Sequence, residues 1–191
     1  MKALEEKILS EGKIYPGNVL KVGSFLNHQI DVDFLMEIGQ EIARLFEKEK
    51  STKVLTIEAS GIAVAVAAAS ALHIPMVFAK KHKTLNIAGD VYASMVYSYT
   101  HQVEYPIVVS KEFLSEEDRV LIVDDFLAHG KAIEGLADLA GQAQAQVVGA
   151  ATVIEKGFQH GGDQLRAAGM HVESLAIIDE MTDDSIVFRP Q

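Results

Sequence analysis

The chain has 191 residues, which predicts a single domain, residues 1–191, with a sizeable buried core. Its formal net charge of −10, from 17 basic and 27 acidic residues, argues against a protein whose main task is to hold duplex nucleic acid, because phosphate contacts need a basic face. The absence of cysteine excludes disulfides and thiolate chemistry, and the absence of a signal peptide or a membrane-length apolar run predicts a cytoplasmic protein with no membrane contact.

The N-terminal part of the chain is predicted to contain two helices separated by an irregular flap. The first helix ends near Gly12, and residues 13–30 show no helical period and contain Pro16 and Gly17, so they favour a flap with one short strand. Asp31 is a suitable N-cap for the second helix, which carries one apolar face. That face consists of Phe34, Leu35, Ile38, Ile42, Leu45 and Phe46.

From residue 53 onward, apolar strands alternate with helices. Helices are predicted at 61–73 and from Gly130 onward, and a hairpin is predicted at 92–100 and 103–110. Further strands are predicted at 53–58, 76–81, 119–125, 147–156, 171–179 and 185–188. This alternation indicates a parallel sheet covered on both faces. Because ligands bind beyond the carboxyl ends of the strands in such sheets, we expect the chemistry in the loops there.

Two of these strand ends carry residues suited to an anion. Glu58 is followed by Ala59, Ser60 and Gly61, a tight turn whose free amides could hold a phosphate, although an ordinary turn has the same pattern. The basic residues from 80 to 83 begin a polar loop that could close over a phosphate or could form a solvated run of charges.

A third strand ends within VLIVDDFLAHG, the stretch that begins at Val120 and contains Asp124 and Asp125. Two carboxylates at the end of a buried strand need solvent, a metal ion or hydroxyl donors. The following turn opens a helix at Gly130, where backbone amides can approach an anion closely. An N-cap role accounts for one aspartate but not easily for both. We therefore interpret the stretch as a sugar-phosphate site, with hydroxyls on the acids and phosphate on the amides.

A fourth strand ends in Lys156, Gly157 and Phe158. The lysine could donate to an oxo group, and the phenylalanine could offer its face to a planar ring. The alternative for this segment alone is a lysine whose stem packs on apolar surface and a phenylalanine that belongs to the core.

VLIVDDFLAHG and its continuation to Ala132 resemble the phosphoribosyl-pyrophosphate signature of the type I phosphoribosyltransferases, which is an apolar strand, two acids, two apolar residues and a loop of small residues. The resemblance continues through EASG at 58–61, where the family has its pyrophosphate loop, and through VIEKGF at 153–158, near its base pocket. LKVGSFLNHQID at 20–31 lies where the family has its variable hood. The similarity covers nearly the whole chain and is greatest to the bacterial members that act on xanthine.

The resemblance implies a type I phosphoribosyltransferase fold, which is α/β with a central, mostly parallel sheet flanked by helices and a small N-terminal hood. The hood would comprise residues 12–30 and part of the C-terminal region. The implied activity is that of a glycosyltransferase of purine salvage, which transfers 5-phosphoribosyl from phosphoribosyl pyrophosphate to N9 of xanthine and gives xanthosine 5'-monophosphate and pyrophosphate. Mg²⁺ and a homodimer are implied as well.

The resemblance also implies roles for individual residues. Asp124 and Asp125 would be catalytic, because they would face the ribose hydroxyls and stabilise positive charge that develops at the anomeric carbon. The 5-phosphate would bind Ala128, His129, Gly130, Lys131 and Ala132. Pyrophosphate would bind Ala59, Ser60, Gly61 and Lys81, the last of these across the dimer interface. Xanthine would bind Leu20, Asn27, Lys156 and Phe158. Mg²⁺ would have no direct protein ligand, with Asp124 or Asp125 contributing through water.

The phosphate loop departs from the family pattern. Many members carry Thr-Gly there, whereas residues 128–132 contain no hydroxyl. Hypoxanthine–guanine members place an aspartate where Ala128 stands, so we expect no carboxylate base at this position. The reaction would then depend on an already acidic purine, on positioning and on stabilisation of the leaving group.

The residues narrow the choice of purine without settling it. A donor at Lys156 suits the C6 oxo group of xanthine, guanine or hypoxanthine rather than the amine of adenine, and Asn27 has both a donor and an acceptor for the C2 edge. The choice of xanthine therefore depends on the resemblance. The alternatives are a hypoxanthine/guanine or adenine enzyme with the same mechanism and a non-catalytic, purine-responsive regulator with the same fold.

Overall fold

The structure, a computed structural model, describes residues 1–81, 90–98 and 103–190. Its helices are α1 (Lys2–Glu11), α2 (Val32–Leu45), α3 (Gly61–Leu72), α4 (Lys131–Gln142) and α5 (Gly161–Ala167). Its strands are β1 (Lys13–Tyr15), β2 (Val19–Lys21), β3 (Lys53–Ile57), β4 (Met76–Ala79), β5 (Val91–Ser98), β6 (Val103–Ser110), β7 (Arg119–Leu127), β8 (Gln146–Lys156), β9 (Val172–Met181) and β10 (Ile186–Phe188). Most of the polar loop predicted after β4, at 82–89, lies outside the described residues.

Six strands form the central sheet, in the order β10-β9-β8-β7-β3-β4. The strands from β9 to β4 are parallel, and β10 pairs antiparallel with β9 at the edge. In β7, Val120 and Ile122 belong to one core cluster, whereas Leu121 and Val123 belong to the other. All four side chains are fully buried, so the prediction of a mostly parallel sheet covered on both faces is confirmed.

One face of the sheet is covered by α1, α2 and α3, and the N-cap role predicted for Asp31 is confirmed, because its side chain accepts a hydrogen bond of 3.2 Å from the amide of Phe34. Helices α2 and α3 approach closely at Gly39, where a Cβ would lie 2.5 Å from the carbonyl oxygen of Ala67. None of the helices in the described ranges is long and apolar enough to span a membrane.

The other face is covered by α4 and by the hairpin of β5 and β6. This hairpin confirms the predicted pairing and runs antiparallel from Val91 opposite Ser110 to Ser98 opposite Val103. The hairpin contributes Val96, Ile107 and Val109 to the second core cluster. The hairpin therefore packs against α4 and also joins the edge of the central sheet after β4, where Lys80 and Val108 exchange two backbone hydrogen bonds of 2.9 Å.

The predicted elements differ from the structure in three places. The N-terminal flap contains two short strands, β1 and β2, which pair antiparallel, rather than one. Strand β7 does not stop at its aspartates, because its pairing with β8 continues to Leu127 opposite Glu155. Helix α5 was not predicted, because its seven residues, GGDQLRA, begin with two glycines and contain one large apolar residue, Leu165.

Candidate active site

Four turns at the carboxyl ends of β3, β4, β7 and β8 contain most of the residues singled out in the sequence, as expected for a parallel sheet. They contain Ala59, Ser60 and Gly61 after β3, Lys81 after β4, Ala128 to Ala132 after β7, and Lys156 with Phe158 at the end of β8. Leu20 and Asn27 come from the N-terminal flap.

The two adjacent aspartates of β7 are both buried, with 6% of each side chain exposed. The amide of Asp125 donates a hydrogen bond of 3.0 Å to Oδ1 of Asp124. Burial raises the pKa of Asp124 well above its ordinary value of 3.8, and the neighbouring charge of Asp125 raises this pKa further. The protein therefore holds two carboxyl groups so close together that their negative charges repel each other.

Asp125 joins the acid pair to two other segments. Its Oδ1 accepts a hydrogen bond of 3.0 Å from the hydroxyl of Ser60, and its Oδ2 accepts one of 3.0 Å from Nδ2 of Asn27. These contacts join the turn after β3, the end of β7 and the N-terminal flap at one carboxylate. The residues expected to bind pyrophosphate, ribose and base are thus neighbours in space.

Gly61 allows the turn after β3 to approach the acid pair. A Cβ at this position would lie 2.8 Å from Oδ1 of Asp124 and would collide with the buried hydroxyl of Thr56. Gly61 is also the first residue of α3, so the free amides of that helix start beside the carboxylates. This geometry favours an anion site over an ordinary connecting turn.

The turn after β7 forms a second anion-binding candidate. Gly130 has φ of 81°, a conformation that glycine adopts without strain, and α4 begins immediately after it. Residues 128–132 line a cavity of about 170 Å³, which is also lined by Val96, Tyr97 and Tyr105 of the β5–β6 hairpin. Backbone amides at a helix start suit a phosphate group, so the cavity fits the predicted 5-phosphate site.

Lys81 lies close to the acid pair within its own chain. Its backbone amide donates a hydrogen bond of 2.6 Å to Oε1 of Glu58, and its ammonium group lies 5.3 Å from the centre of the Tyr105 ring. Its positive charge partly offsets the rise in the pKa of Asp124. Burial, followed by the charge of Asp124, raises the pKa of Tyr105. No sequence pattern singled out Tyr105, because it reaches this position only through the pairing of the hairpin with the chain after β4.

Three of the residues expected to bind the purine, Lys156, Leu20 and Phe158, contact the flap or the first core cluster. Lys156 donates a hydrogen bond of 2.8 Å from Nζ to the carbonyl oxygen of Asn18 in the flap, and its ammonium lies 5.9 Å from the centre of the Phe126 ring. Burial lowers the pKa of Lys156. Leu20 is buried, and the half-buried Phe158 packs against the first core cluster. Phe158 therefore makes the contacts of a core residue, and its stacking on a base stays a prediction.

Within the described residues, no group of three or more metal-binding side chains could hold a cation. Asp124 and Asp125 nevertheless present oxygen atoms, which are the ligands that Mg²⁺ prefers, beside the two anion-binding turns. These donors suit an ion that is bound mainly by substrate oxygens and water.

Comparison with known proteins adds independent information. A family model described as "Phosphoribosyl transferase domain" matches residues 25–168. The chain is 53% identical over 191 residues to a protein named xanthine phosphoribosyltransferase from Lachnoclostridium phytofermentans, with 99% of this chain and 98% of that protein covered. It is 52% identical over 187 residues to a protein of the same name from Pediococcus pentosaceus, with 98% of each covered.

Solved structures share the architecture at lower identity. The crystal structure of the adenine phosphoribosyltransferase of Giardia lamblia, complexed with 9-deazaadenine, superposes with a TM-score of 0.76. The match covers 93% of this chain and 98% of that one at 20% identity. Identity this low supports the fold alone.

Proposed function

The chain belongs to the phosphoribosyl transferase domain family, and from this premise we propose that it transfers 5-phosphoribosyl from phosphoribosyl pyrophosphate to N9 of xanthine. The products are xanthosine 5'-monophosphate and pyrophosphate, and the pathway is purine salvage. The observation that carries the proposal is the position of Asp124 and Asp125 between two anion-binding turns, in a chain about half of whose residues are identical to those of the named xanthine enzymes.

Each of the two turns binds one anionic group of phosphoribosyl pyrophosphate. The amides of Ala128 to Ala132 bind the 5-phosphate in the cavity beneath the hairpin, and Ala59, Ser60 and Gly61 bind pyrophosphate at the start of α3. We propose that Lys81, whose charge acts on Asp124 of its own chain, adds a positive charge at the pyrophosphate, and its contact across the interface of a homodimer stays a prediction. The sugar is thereby held above the acid pair.

The acid pair stabilises the charge that develops during transfer. The bond from the anomeric carbon to pyrophosphate breaks, the bond to N9 forms, and the ring carbon is transiently positive. Carboxylates fixed beside that carbon lower the energy of this state more than that of the bound substrate. Because Ala128 supplies no carboxylate base, the purine loses its imidazole proton to water before transfer, and the rate then depends on positioning and on the leaving group. Mg²⁺, when bound, neutralises charge on the departing pyrophosphate.

Recognition of the base uses Leu20, Asn27, Lys156 and Phe158. The ammonium of Lys156 exchanges the carbonyl of Asn18 for the C6 oxo group of the purine. Because a carboxylate oxygen can only accept, the contact with Asp125 directs Nδ2 of Asn27 toward the acid and leaves Oδ1 to accept from an N–H on the base. Xanthine offers such a donor at N3, beside its second oxo group, whereas hypoxanthine does not.

The proposal includes a cytoplasmic location, which suits an enzyme of purine salvage. The C-terminal contribution to the hood stays a prediction, and β10 itself pairs antiparallel with β9 at the edge of the central sheet. A regulator without catalytic activity is disfavoured by the identity to named enzymes across the whole chain.

A base panel tests the proposal. The purified protein is incubated with phosphoribosyl pyrophosphate and Mg²⁺ and with xanthine, guanine, hypoxanthine or adenine, and nucleotide formation is followed. We expect the highest kcat/KM with xanthine. A preference for guanine of more than about tenfold would remove the xanthine assignment, and turnover with none of the four bases would favour the regulator.

A further inference from the structure

Helix α5, which the function described so far does not use, lies directly against the proposed 5-phosphate loop. The amide of Gly161, its first residue, donates a hydrogen bond of 3.2 Å to the carbonyl oxygen of Ala128. A Cβ on Gly161 would lie 2.5 Å from the carbonyl carbon of His129 and 2.6 Å from the nitrogen of Gly130. The two backbones therefore touch at a position where no side chain fits.

A second contact from the same helix reaches the turn of the loop. A Cβ built on Gly130 would lie 3.3 Å from Cδ1 of Leu165, whose side chain is buried. Gly130 is the residue with positive φ that precedes α4. Helix α5 thus contacts both the start of the loop, at Ala128, and its bend, at Gly130.

An ion pair between a fully buried glutamate and a half-buried arginine holds α5 in this place. Arg166 of α5 donates two hydrogen bonds, of 3.0 and 2.7 Å, to the carboxylate of Glu155, which is fully buried. Ser174 of β9 donates a third, of 2.5 Å, to the same carboxylate. The arginine also donates from Nε to the carbonyl oxygen of Val172. Helix α5 is therefore joined to both β8 and β9.

The ion pair is close to the loop as well as to the helix. Glu155 lies opposite Leu127 in the pairing of β8 with β7. Leu127 is the last residue of β7, and the loop begins at the next residue, Ala128. A Cβ on Gly162 would lie 2.7 Å from Oε2 of Glu155, so the helix start is packed against the carboxylate itself. Buried ion pairs contribute little net stability compared with apolar residues of similar size, so a geometric role accounts better for this one.

We propose that Glu155 and Arg166 are positioning residues that set the geometry of the 5-phosphate loop through α5. The pair does not touch substrate. It fixes the helix whose first glycines support Ala128 to Gly130, so that the loop amides point at the phosphate before it arrives. The proposal rests on the assignment of residues 128–132 to the 5-phosphate.

Two ligands separate this role from general stability. Ribose 5-phosphate carries the phosphate that the loop binds, whereas inorganic pyrophosphate with Mg²⁺ uses the turn at 59–61. Calorimetric titration of the variant Arg166→Lys, which loses the two parallel hydrogen bonds, is expected to give a Kd for ribose 5-phosphate raised about tenfold, because a small misplacement of binding groups is costly. The Kd for pyrophosphate is expected to stay within about twofold of the wild-type value.

Arg44→Lys is the matched control, since Arg44 also donates two hydrogen bonds, both 2.8 Å, to one carboxylate, that of Glu41 within α2.

A second variant tests the same contact without touching the ion pair. Gly161→Ala places a methyl group against the loop backbone, and we expect the same selective loss for ribose 5-phosphate. Gly141→Ala is its control, because a Cβ at Gly141 in α4 has no neighbour within 4 Å. This pair remains informative if Arg166→Lys does not fold.

The outcomes are distinct. Selective loss of ribose 5-phosphate binding in Arg166→Lys or Gly161→Ala, with both controls at wild-type affinity, supports the positioning role. Wild-type affinity in the folded variants, or an equal loss for both ligands, overturns it. If the wild-type protein binds neither ligand, the proposed function itself fails and this inference fails with it.

Discussion

Asp124 and Asp125 are covalent neighbours with different surroundings. Asp125 accepts hydrogen bonds from Ser60 and Asn27, each of which belongs to a segment that we assign to a different part of the substrates. Asp124 is held beside Gly61, accepts from the amide of Asp125, and has a raised pKa because it is buried. At the residue scale, Asp125 connects the subsites, whereas Asp124 is a charge that the fold retains at a cost in stability.

This cost predicts that Asp124→Asn stabilises the protein. Because the folded-state pKa of Asp124 lies above its unfolded value, its protonated form stabilises the fold. That contribution is complete below the unfolded value of about 3.8 and is lost as the pH rises through the folded pKa. At neutral pH we expect Asn to raise Tm by roughly 2–4 °C for each kcal/mol gained, while turnover falls. Thermal melts between pH 4 and neutral pH should show the difference in Tm shrinking toward acid; a neutral-pH Tm at or below that of the wild type would argue against a destabilising carboxylate.

Asn27→Ala is expected to weaken the distinction between purines at C2. The substitution removes the acceptor that we assign to the base and one of the two side-chain hydrogen bonds described for Asp125. We expect the ratio of kcat/KM for xanthine to that for hypoxanthine to fall about tenfold or more, since sites that hydrogen-bond a substrate group discriminate strongly. Gln29→Ala, in the same flap and with a side chain that donates to the carbonyl oxygen of Ser24, is the control. An unchanged ratio would mean that Asn27 does not read the C2 edge.

Lys156 gives the purine site a pH dependence. Burial lowers its pKa below the ordinary value of 10.5, so its ammonium is lost at a lower pH than that of an exposed lysine. We expect KM for the purine to rise as alkaline pH removes this proton. In Lys156→Arg, whose guanidinium stays charged, the profile should lack this rise. Titration of the base itself affects both proteins equally, so the same alkaline profile in both would exclude Lys156 as the donor.

At the scale of elements, the predictable and the unpredictable parts have different physical origins. Runs such as VLIV and the apolar face of α2 predicted strands and helices, because burial imposes a period on each. Helix α5 has no such period, and its position comes from Gly161, Gly162 and Arg166 contacting residues far away in sequence. The glycine pair was the available signal, since adjacent glycines mark close approach of backbones. A second signal was Glu155, a charged residue at the end of the apolar strand β8.

Close packing of α2 on α3 fixes the flap and the turn after β3 relative to each other. Gly39→Ala would place a methyl group 2.5 Å from the backbone of Ala67, so the helices must move apart. We expect a loss of about 1–3 kcal/mol in the free energy of unfolding, as for other overpacked sites. Gly141→Ala, whose Cβ meets open space, should cost nothing measurable. Urea unfolding of both variants gives the answer, and equal midpoints would show that α2 and α3 tolerate separation.

At the scale of the whole molecule, the proposed function requires an acidic protein to bind anions through its backbone amides. The net charge of −10 disfavours a nucleic-acid surface, and we propose that two helix starts beside the two carboxylates bind anions in this acidic protein. The strand-end rule located the turns from sequence, and the resemblance named the family. The contribution of the β5–β6 hairpin to the phosphate cavity could not be predicted, because a hairpin's register gives no information about which helix it covers.

The most direct test of this account compares wild-type protein with Asp125→Asn in the formation of xanthosine 5'-monophosphate from xanthine, phosphoribosyl pyrophosphate and Mg²⁺. The exposed Asp138 of α4 supplies the control Asp138→Asn. We expect turnover by the wild type and the control, and a fall in kcat of about 10²-fold or more in Asp125→Asn with its fold retained, as for loss of other groups that stabilise transition-state charge. An unchanged kcat in a folded Asp125→Asn protein would show that the acid pair is structural and would contradict the account.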